Sequence, residues 1–249
     1  MARVKWDEIA HKFFEGGCSK GMCYNFNAQA SDPEDPYDYG EAWNGISGFT
    51  DNPSGADEQA SYADNIKYIS MRGAENYGFT VNCFTYPDNF KKCLGKKTVI
   101  PGVTVSQQTR EAFGFCVTTQ VGNDTEGTDA GETLHLIWNA TTSPSSKDYS
   151  SLNESPSPSE LSFEATANPI DVGTGYKPTC NMEITTVGRK NDTEFMRVYN
   201  RLLDILYGTD AAEATQTTEA VEDVAPRLPM PAEIIQMFGA LSNNVNPAG

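Results

Sequence analysis

Residues 62–86 constrain the fold more than any other stretch, because they contain two short runs in which apolar and polar side chains alternate. In the first run Ile66 and Tyr68 point to one side of an extended chain, and in the second Val81 points away from the residues beside it. Aromatic and β-branched residues with a period of two are typical of β-strands. The glycines within residues 72–78 favour a bend. The stretch therefore predicts a pair of antiparallel strands, which needs further strands to be stable.

Further alternating runs occur at short intervals along the chain. They lie at residues 43–50, 103–105, 113–117, 133–139, 161–167 and 180–186. The residues that alternation places on shared faces are Phe113, Phe115 and Val117 in one run and Leu134, Leu136 and Trp138 in another. Short strands separated by turn residues predict a mainly β chain, folded as an antiparallel sandwich or barrel.

One amphipathic helix is predicted over residues 193–207. Asp192 precedes it as an N-cap, and Gly208 follows it at the position of a C-terminal cap. The apolar stripe of this helix consists of Phe195, Val198, Tyr199, Leu202 and Leu206. Steps of three and four residues put the stripe on one face, which we expect to pack on the β core.

Four other segments give weaker patterns. Residues 4–15 space their large apolar side chains like a short amphipathic helix or turn, and the glycines that follow would stop it. Residues 89–93 predict one helical turn. The Pro-rich and acid-rich residues 27–40 and the polar residues 51–60 predict exposed loops.

The C-terminal part of the chain is predicted to be a separate arm. Residues 1–208 form the predicted β domain with an N-terminal arm, and residues 209–249 form an acidic linker followed by a short helix. That helix carries Ile234, Phe238 and Leu241 in line. A short helix on a flexible tether needs another surface to dock on. We hypothesise that these three residues contact a neighbouring subunit; docking on the chain's own β domain is the alternative.

Charge limits the classes of partner. The 249-residue chain has 34 acidic and 18 basic residues, a formal net charge of -16. This charge disfavours nucleic-acid binding through a basic surface. It suits a conduit through which DNA passes without adhesion, because cationic contacts to phosphate create that adhesion. Simple solubility explains the same charge equally well.

The sequence also indicates a compartment. The N-terminal residues lack the apolar core and the cleavage site of a secretion signal, and no stretch has the roughly twenty apolar residues that span a bilayer. We therefore expect the chain to stay in a cytoplasm, with its six cysteines reduced and without a membrane partner.

The sequence contains no recognisable motif for catalysis or cofactor binding. Cys18 and Cys23 lack a matching second pair of soft ligands, which disfavours structural zinc. His135 is more simply explained as a hydrogen-bonded strand histidine than as a catalytic one. The acid-rich residues 122–132 lack the ligand spacing of a calcium-binding loop, so they predict a solvated hairpin loop. We expect no enzyme activity, no cofactor and no metal site.

Several long segments of the sequence are similar to those of a known protein family. In chain order they are WDEIAHKFFEGGCSKGMCY, AWNGISGFTDNPSGADEQASYADN, YADNIKYISM, FTVNCFTYPDNFKKC, PGVTVSQQTREAFGFCVTTQVGNDTEGTDAG, ETLHLIWNATTSPSSKDYSSLNESP, YKPT and LLDILYGTD. Together these words cover most of the chain. They resemble the major tail protein family of long-tailed, siphovirus-like bacteriophages.

The resemblance implies a β-sandwich or barrel of the tail tube type, flanked by a helix, with a structural and not an enzymatic role. Such subunits self-assemble into rings, commonly hexameric, which stack into the tail tube that carries DNA to the host during genome ejection. The implied partners are further copies of the chain and the tape measure, tail terminator and distal tail proteins, while genomic DNA passes through without specific binding. The implied location is the virion tail, after assembly in the host cytoplasm. By analogy, residues 66–86 are expected to line the lumen.

Two alternatives remain open at the level of sequence. A monomeric β-sandwich adhesion or carbohydrate-binding module would expose aromatic side chains on one face, for which Tyr37, Tyr39 and Trp43 are the candidates. A hydrolase would need a concave site with acids of perturbed pKa.

Overall fold

The computed structural model describes residues 6, 8–147, 151, 158–173, 175–211 and 223–242. The strands are β1 (Phe14–Asn25), β2 (Glu41–Trp43), β3 (Ile46–Asp51), β4 (Ser54–Gly55), β5 (Glu58–Ala63), β6 (Ile66–Arg72), β7 (Glu75–Cys83), β8 (Lys97–Ile100), β9 (Val103–Val105), β10 (Phe113–Asn123), β11 (Gly127–Thr142), β12 (Leu161–Ala167) and β13 (Asn181–Thr185). The helices are α1 (Phe90–Cys93), α2 (Thr193–Tyr207) and α3 (Pro231–Ser242).

Nine strands form one antiparallel sheet, which confirms the mainly β prediction. The strand order is β2-β1-β10-β11-β12-β7-β3, with β13 beside β11 and β4 beside β7. Phe79 of β7 stacks on Phe115 of β10 at 5.9 Å, although two strands separate β7 from β10 in the order. The sheet must therefore curl so that its two halves face each other. Within the described residues the path ends at β2 and β3 and does not close into a barrel.

The long strands β10 and β11 serve two cores at once. The inner core lies inside the curl of the sheet and includes Phe79, Phe113, Phe115, Val117, Ile137 and Phe163. The outer core lies between the sheet and the helices and includes Tyr24, Leu134, Leu136, Trp138, Tyr199, Leu202, Leu206 and Leu228. Both faces predicted from alternation are confirmed. Because both faces of these strands are covered, the central sheet is buried on both sides.

The pairing predicted for residues 62–86 is wrong, although both runs are strands. β6 pairs with β5, whose first half lies in the predicted polar loop of residues 51–60, and β7 pairs with β3 and β12. The real hairpin turn is at Asp64 and Asn65, whose φ values are 51° and 63°. Two successive residues with positive φ produce the type I′ turn that suits a two-residue hairpin. The glycines predict a bend at residues 72–78, after β6, whereas the hairpin turn precedes β6.

Of the helix or turn predicted over residues 4–15, the described part has a turn at residues 9 and 10, closed by a hydrogen bond from the N–H of His11 to the carbonyl of Glu8 at 3.2 Å, and no helix. Phe14 begins β1, which continues through Gly16 and Gly17, the residues expected to stop a helix. Gly17 has a φ of 69° at a register shift between β1 and β10, so it forms a bulge within the strand. Residues 1–5 and 7 lie outside the described residues.

Helix α2 has the predicted bounds and caps. The carboxylate of Asp192 accepts a hydrogen bond from the backbone N–H of Phe195 at 3.1 Å, as an N-cap does. The predicted stripe faces the outer core, where Leu202 and Leu206 are fully buried. α1 confirms the predicted helical turn.

Candidate subunit interface

The hairpin of β5 and β6 pairs with no other strand in the described part of the chain, and every one of its strand residues is exposed. Its large exposed apolar residues are Tyr62, Ile66, Tyr68, Ile69 and Met71. The side chain of Tyr68, for example, is 73% exposed. Strand alternation puts Tyr68 and Ile69 on opposite faces, so both faces of the hairpin carry apolar surface. An isolated hairpin is marginally stable in water, which makes this element a candidate for contact with another molecule.

Polar contacts within this hairpin involve Glu58. Its carboxylate accepts hydrogen bonds from the ammonium of Lys67 and the hydroxyl of Ser70. These two donors lower the pKa of Glu58. Contacts of this exposed kind contribute little to stability, so they do not replace a packed face.

The hairpin of β8 and β9 has the same character. Its strands pair only with each other in the described residues, and all of their residues are exposed. Its large exposed apolar residues are Val99, Ile100, Val103 and Val105. Pro101 and Gly102 form the turn, and the φ of 87° at Gly102 is one that a side chain would strain. This hairpin is the second candidate surface.

Lysines lie beside the second hairpin, in a chain that is otherwise acidic. Lys91 and Lys92 are on α1, and Lys96 and Lys97 lead into β8. Lys91 pairs with Asp88 at 2.7 Å. The segment concentrates positive charge next to exposed apolar side chains, a combination that can bind an acidic surface.

Two strand edges of the main sheet lack a ladder partner on one side, and they face each other across a pocket of the same chain. In the described residues, the first half of β1 pairs only with β10, and β3 pairs only with β7. Phe13 and Phe14, at the start of β1, are exposed. An unpaired strand edge offers backbone donors and acceptors to another chain.

The segment leading to α3 is fixed to the chain's own β domain. The backbone carbonyl of Pro229 accepts a hydrogen bond from the indole N–H of Trp138 at 3.0 Å. The backbone N–H of Arg227 donates to the carbonyl of Ile205 at 2.9 Å. Leu228 is fully buried in the outer core. The described residues 223–242 of the arm therefore pack on the domain predicted to end at residue 208, and the boundary itself stays a prediction.

The three candidate interface residues differ in their surroundings. Ile234 is 1% exposed and belongs to the outer core. Phe238 is partly buried, and its ring lies 5.4 Å from that of Phe195 on α2. Leu241 is half-buried near the end of α3. The alternative of docking on the chain's own domain describes this packing, while contact of Phe238 or Leu241 with a neighbouring subunit stays a prediction.

An apolar groove lies beside α3. It has a volume of about 360 Å³ and is lined by side chains of β13, α2 and α3. Its apolar lining includes Ile184, Phe195, Ile234, Ile235 and Phe238. The groove is open to solvent next to the candidate residues, so a side chain from a neighbouring copy could enter it.

The aromatic face expected of a carbohydrate-binding module is not formed. Trp43 is only 3% exposed and packs in the inner core against Phe90, with ring centroids 4.3 Å apart. Tyr37 is buried in the outer core, where its hydroxyl accepts a hydrogen bond from the backbone N–H of Asn139 at 3.0 Å. Only Tyr39 is exposed. The expectation of three aromatic rings on one exposed surface is therefore wrong.

The acid-rich loop between β10 and β11 is closed by an asparagine. Asn123 Oδ1 accepts hydrogen bonds from the backbone N–H groups of Thr125 and Glu126 at 3.0 and 2.6 Å. Asp124 accepts one from the backbone N–H of Ala10 at 2.9 Å. The two contacts of Asn123 are the local contacts of a hairpin turn at residues 124–126. The predicted loop is too long, because residues 127–132 belong to β11 and pair with β10.

Among the described residues, none of the helices combines the length and apolar character needed to cross a bilayer.

Comparison with known proteins adds only distant similarities. No protein-family model matches the chain, and no curated protein sequence matches it. Among solved structures, it is similar to a chain of the anti-feeding prophage baseplate, with 9% identity and a TM-score of 0.33 over 73% of this chain and 97% of that chain. It is also similar to a chain of the sheath-tube complex of an extracellular contractile injection system in the extended state, with 14% identity and a TM-score of 0.26 over 73% and 93%.

A third similarity is to a chain of the tube-terminating cap of the anti-feeding prophage, with 13% identity and a TM-score of 0.27 over 74% of this chain and 95% of that chain. At these scores the similarities establish neither a common fold nor a common function.

Proposed function

We propose that this chain is a non-enzymatic structural subunit of a phage tail, and that its copies assemble into closed rings that stack into a tail tube. The observation that carries the proposal is the pair of exposed hairpins, β5–β6 and β8–β9, which bear nine large apolar side chains between them. The sequence words that resemble the major tail proteins support the same assignment.

The physical reason for a ring lies in the unpartnered elements. Each hairpin can be stabilised by packing on the surface of another copy. Contacts between unlike surfaces of identical copies close into a ring when the rotation between copies allows it. A closed ring leaves no free end, so assembly in the plane of the ring stops by itself.

The charge of the chain fits a conduit for DNA. With a net charge of -16, a wall made of many copies would repel phosphate unless the lysines were concentrated on it. We propose that the lumen is acidic and that DNA passes through it without specific binding. The tape measure, tail terminator and distal tail proteins are the further partners of this proposal.

The test uses substitutions that place a charge on each hairpin. Ile69→Lys and Ile100→Lys alter exposed side chains that have no role in either core. Tyr176→Ser is a matched control, because Tyr176 is exposed and lies outside both hairpins. Assembly of the full chain is followed by sedimentation velocity and negative-stain electron microscopy over a range of protein and salt concentrations. Circular dichroism and urea unfolding check that each variant is folded.

We expect the wild type and the control to form rings or tubes at the same critical concentration. Burying an isoleucine stabilises by about 1.5 to 3 kcal/mol, so each hairpin variant should raise that concentration at least about tenfold. Equal assembly of both folded hairpin variants and the wild type would contradict the proposal. A wild type that stays monomeric throughout would also count against it, and oligosaccharide binding by that monomer would favour the adhesion alternative.

A further inference from the structure

A polar pocket of about 400 Å³ opens where β1, β3, β10, β11 and β13 approach one another. Its polar side chains include Glu15, Asp51, Thr119, His135 and Glu183. His135 is 8% exposed, and its ring lies 5.4 Å from that of Phe49, so the imidazole is held between the strands. The pocket is independent of the hairpins and of the proposed assembly.

Hydrogen bonds fix which nitrogen of His135 carries a proton. The hydroxyl of Thr119 donates its proton to Glu15 Oε1. The same hydroxyl oxygen lies 2.9 Å from His135 Nε2 and can therefore only accept at that contact. Nε2 must then carry the proton and donate it to Thr119. In the neutral ring, this leaves the lone pair on Nδ1.

The Nδ1 lone pair lies near the carboxylate of Glu183. Glu183 Oε1 lies 3.6 Å from His135 Nδ1. A carboxylate oxygen of Asp51 completes a group of three ligand atoms that all lie within 4.8 Å of one another. Asp51 is held in place by the hydroxyl of Tyr77, which donates to its Oδ1. The two carboxylates repel each other and the lone pair of the imidazole, and a cation between the three groups would turn this repulsion into attraction.

We propose that Asp51, His135 and Glu183 bind one divalent transition-metal ion, with zinc as the best match. An imidazole with two carboxylates suits zinc, whereas calcium and magnesium prefer oxygen ligands alone. Tetrahedral bonds of about 2.1 Å place ligand atoms about 3.4 Å apart. The 3.6 Å between His135 Nδ1 and Glu183 Oε1 is already close to this separation. The widest separation in the group can be up to 4.8 Å, so the exposed carboxylate side chains would have to move inward by up to about 1.4 Å to close around the ion.

The surroundings of the three ligands have the features of a metal site. A ligating histidine usually donates its second ring N–H to an acceptor, which fixes the ring and raises its basicity. The link from His135 through Thr119 to Glu15 does this, and Tyr77 orients Asp51 in the same way. A fourth coordination position remains for water or for a group from another molecule.

A metal ion at this position would connect strands that no ladder joins. Asp51 ends β3, which pairs only with β7 among the described strands, whereas His135 and Glu183 face each other on β11 and β13. The ion would therefore link the β3 end of the curled sheet to its opposite wall. It would act as a structural clamp at the open end of the inner core.

The experiment uses the full chain without an affinity tag, stripped of metal by a chelator. Zinc chloride is added alone, bound zinc is counted by equilibrium dialysis with elemental analysis, and Tm is measured by calorimetry. Asp51→Asn and Glu183→Gln remove one ligand each from exposed positions, so these variants should fold. His11→Ala, Cys18→Ser and Glu164→Gln are matched controls for the other histidine, the nearby thiol and a remote exposed acid.

We expect the wild type to bind one zinc per chain. Zinc at about 100 times Kd should raise its Tm by roughly 5 to 10 °C. Asp51→Asn and Glu183→Gln should weaken binding at least about tenfold and lose most of the Tm shift, while the three controls should behave like the wild type. Cobalt in place of zinc should give visible absorption bands that both ligand variants change.

Three results would overturn the proposal. The first is the absence of saturable one-to-one binding. The second is unchanged binding in Asp51→Asn and Glu183→Gln, or its loss in Cys18→Ser, since either places the zinc elsewhere. The third is a wild-type Tm that zinc does not change but that rises when the pH is lowered from about 8 to 6, while the Tm of His135→Asn does not rise. That last result would assign a proton, and not a metal ion, to the space between the three ligands.

Discussion

Replacing Leu228 with alanine should destabilise the folded chain strongly, because this side chain anchors the C-terminal segment in the outer core. Leu228 is fully buried. Its loss removes three carbons, which is about 2.4 kcal/mol of transfer free energy at about 0.8 kcal/mol per carbon. The remaining cavity adds to this, so we expect a total of about 3 to 5 kcal/mol.

A second substitution, Gly114→Ala, tests the same contact from the opposite side. A Cβ atom added at Gly114 would lie 2.1 Å from Leu228 Cδ2 and 3.2 Å from Tyr37 Cε1. Gly114→Ala should therefore cost about 1 to 3 kcal/mol in the wild type through overpacking. With alanine at position 228 the new methyl group enters the vacated space, so the second substitution should cost almost nothing. The two sites should therefore show a coupling free energy of about 1 to 3 kcal/mol.

The assay is urea unfolding of the wild type, the two single variants and the double variant, at a protein concentration where the chain is monomeric. Trypsin cleavage after Arg227 gives a second readout, because release of the segment exposes that bond. A loss below about 1 kcal/mol in Leu228→Ala, or additive costs within about 0.5 kcal/mol, would refute the reasoning. Either result would mean that the segment does not dock on its own domain in the monomer.

Three further predictions concern single polar groups. Tyr24→Phe should cost about 1 to 3 kcal/mol in urea unfolding, because the buried carbonyl of Leu206 loses the hydroxyl that donates to it at 2.7 Å, whereas Tyr39→Phe at an exposed site should have no effect. Asp192→Ala should lower Tm by about 2 to 4 °C at neutral pH. Hydrogen bonding to the backbone N–H of Phe195 lowers the pKa of Asp192. The stabilisation of the folded chain by this carboxylate is therefore present above about pH 4 and is lost as the pH falls through the folded-state pKa. The Tm values of the variant and the wild type should converge in acid. Burial raises the pKa of Tyr37 to about 12. The unfolded chain releases this proton already near pH 10, so the urea midpoint should begin to fall above about pH 10. Absorbance at alkaline pH should show that Tyr37 ionises at a higher pH than an exposed tyrosine.

Local patterns predicted the parts of the fold whose structure depends on local contacts. The cap and the apolar stripe of α2 are encoded within one stretch of sequence, and the structure has the same bounds. The alternation in β10 and β11 gave the correct division of side chains between the inner and outer cores. In both cases the period of the side chains decides which face is buried.

Strand pairing could not be predicted in the same way, because it is decided by contacts between distant residues. β7 and β6 are adjacent in the chain, yet β7 enters the main sheet while β6 turns away with β5. Alternation shows that a segment is extended, but it does not show whether other strands or helices pack on it. The turn at Asp64 and Asn65 contains no glycine and was missed for that reason, although Asx residues tolerate positive φ.

The N-terminal strand was missed because two explanations fit the same spacing. The large apolar residues before Gly16 follow a helical period, and a glycine pair is a common helix stop. A glycine in a strand can instead mark a bulge, as Gly17 does. The pairing of β1 with the distant β10 decides between the two, and no local pattern contains that information.

The candidate sites show the same limit. Trp43 and Tyr37 belong to aromatic-rich segments that suggested an exposed face, but their burial depends on strands far along the chain. Asp51, His135 and Glu183 come from three separate stretches and share no spacing signature. A single histidine on a strand was therefore interpreted from its most common role, and the convergence of two carboxylates on it becomes visible only in three dimensions.

The separation of the hairpins from both cores has a functional consequence. The central strands bury both faces within one chain, and no residue of β5, β6, β8 or β9 belongs to either core. The apolar surface that remains is concentrated on elements that can change without loss of the fold. Copies with a net charge of -16 repel one another at long range, so stray contact between two hairpins is disfavoured. In the proposed assembly, association would require several surfaces to meet in register, a condition that favours an ordered ring over an irregular aggregate.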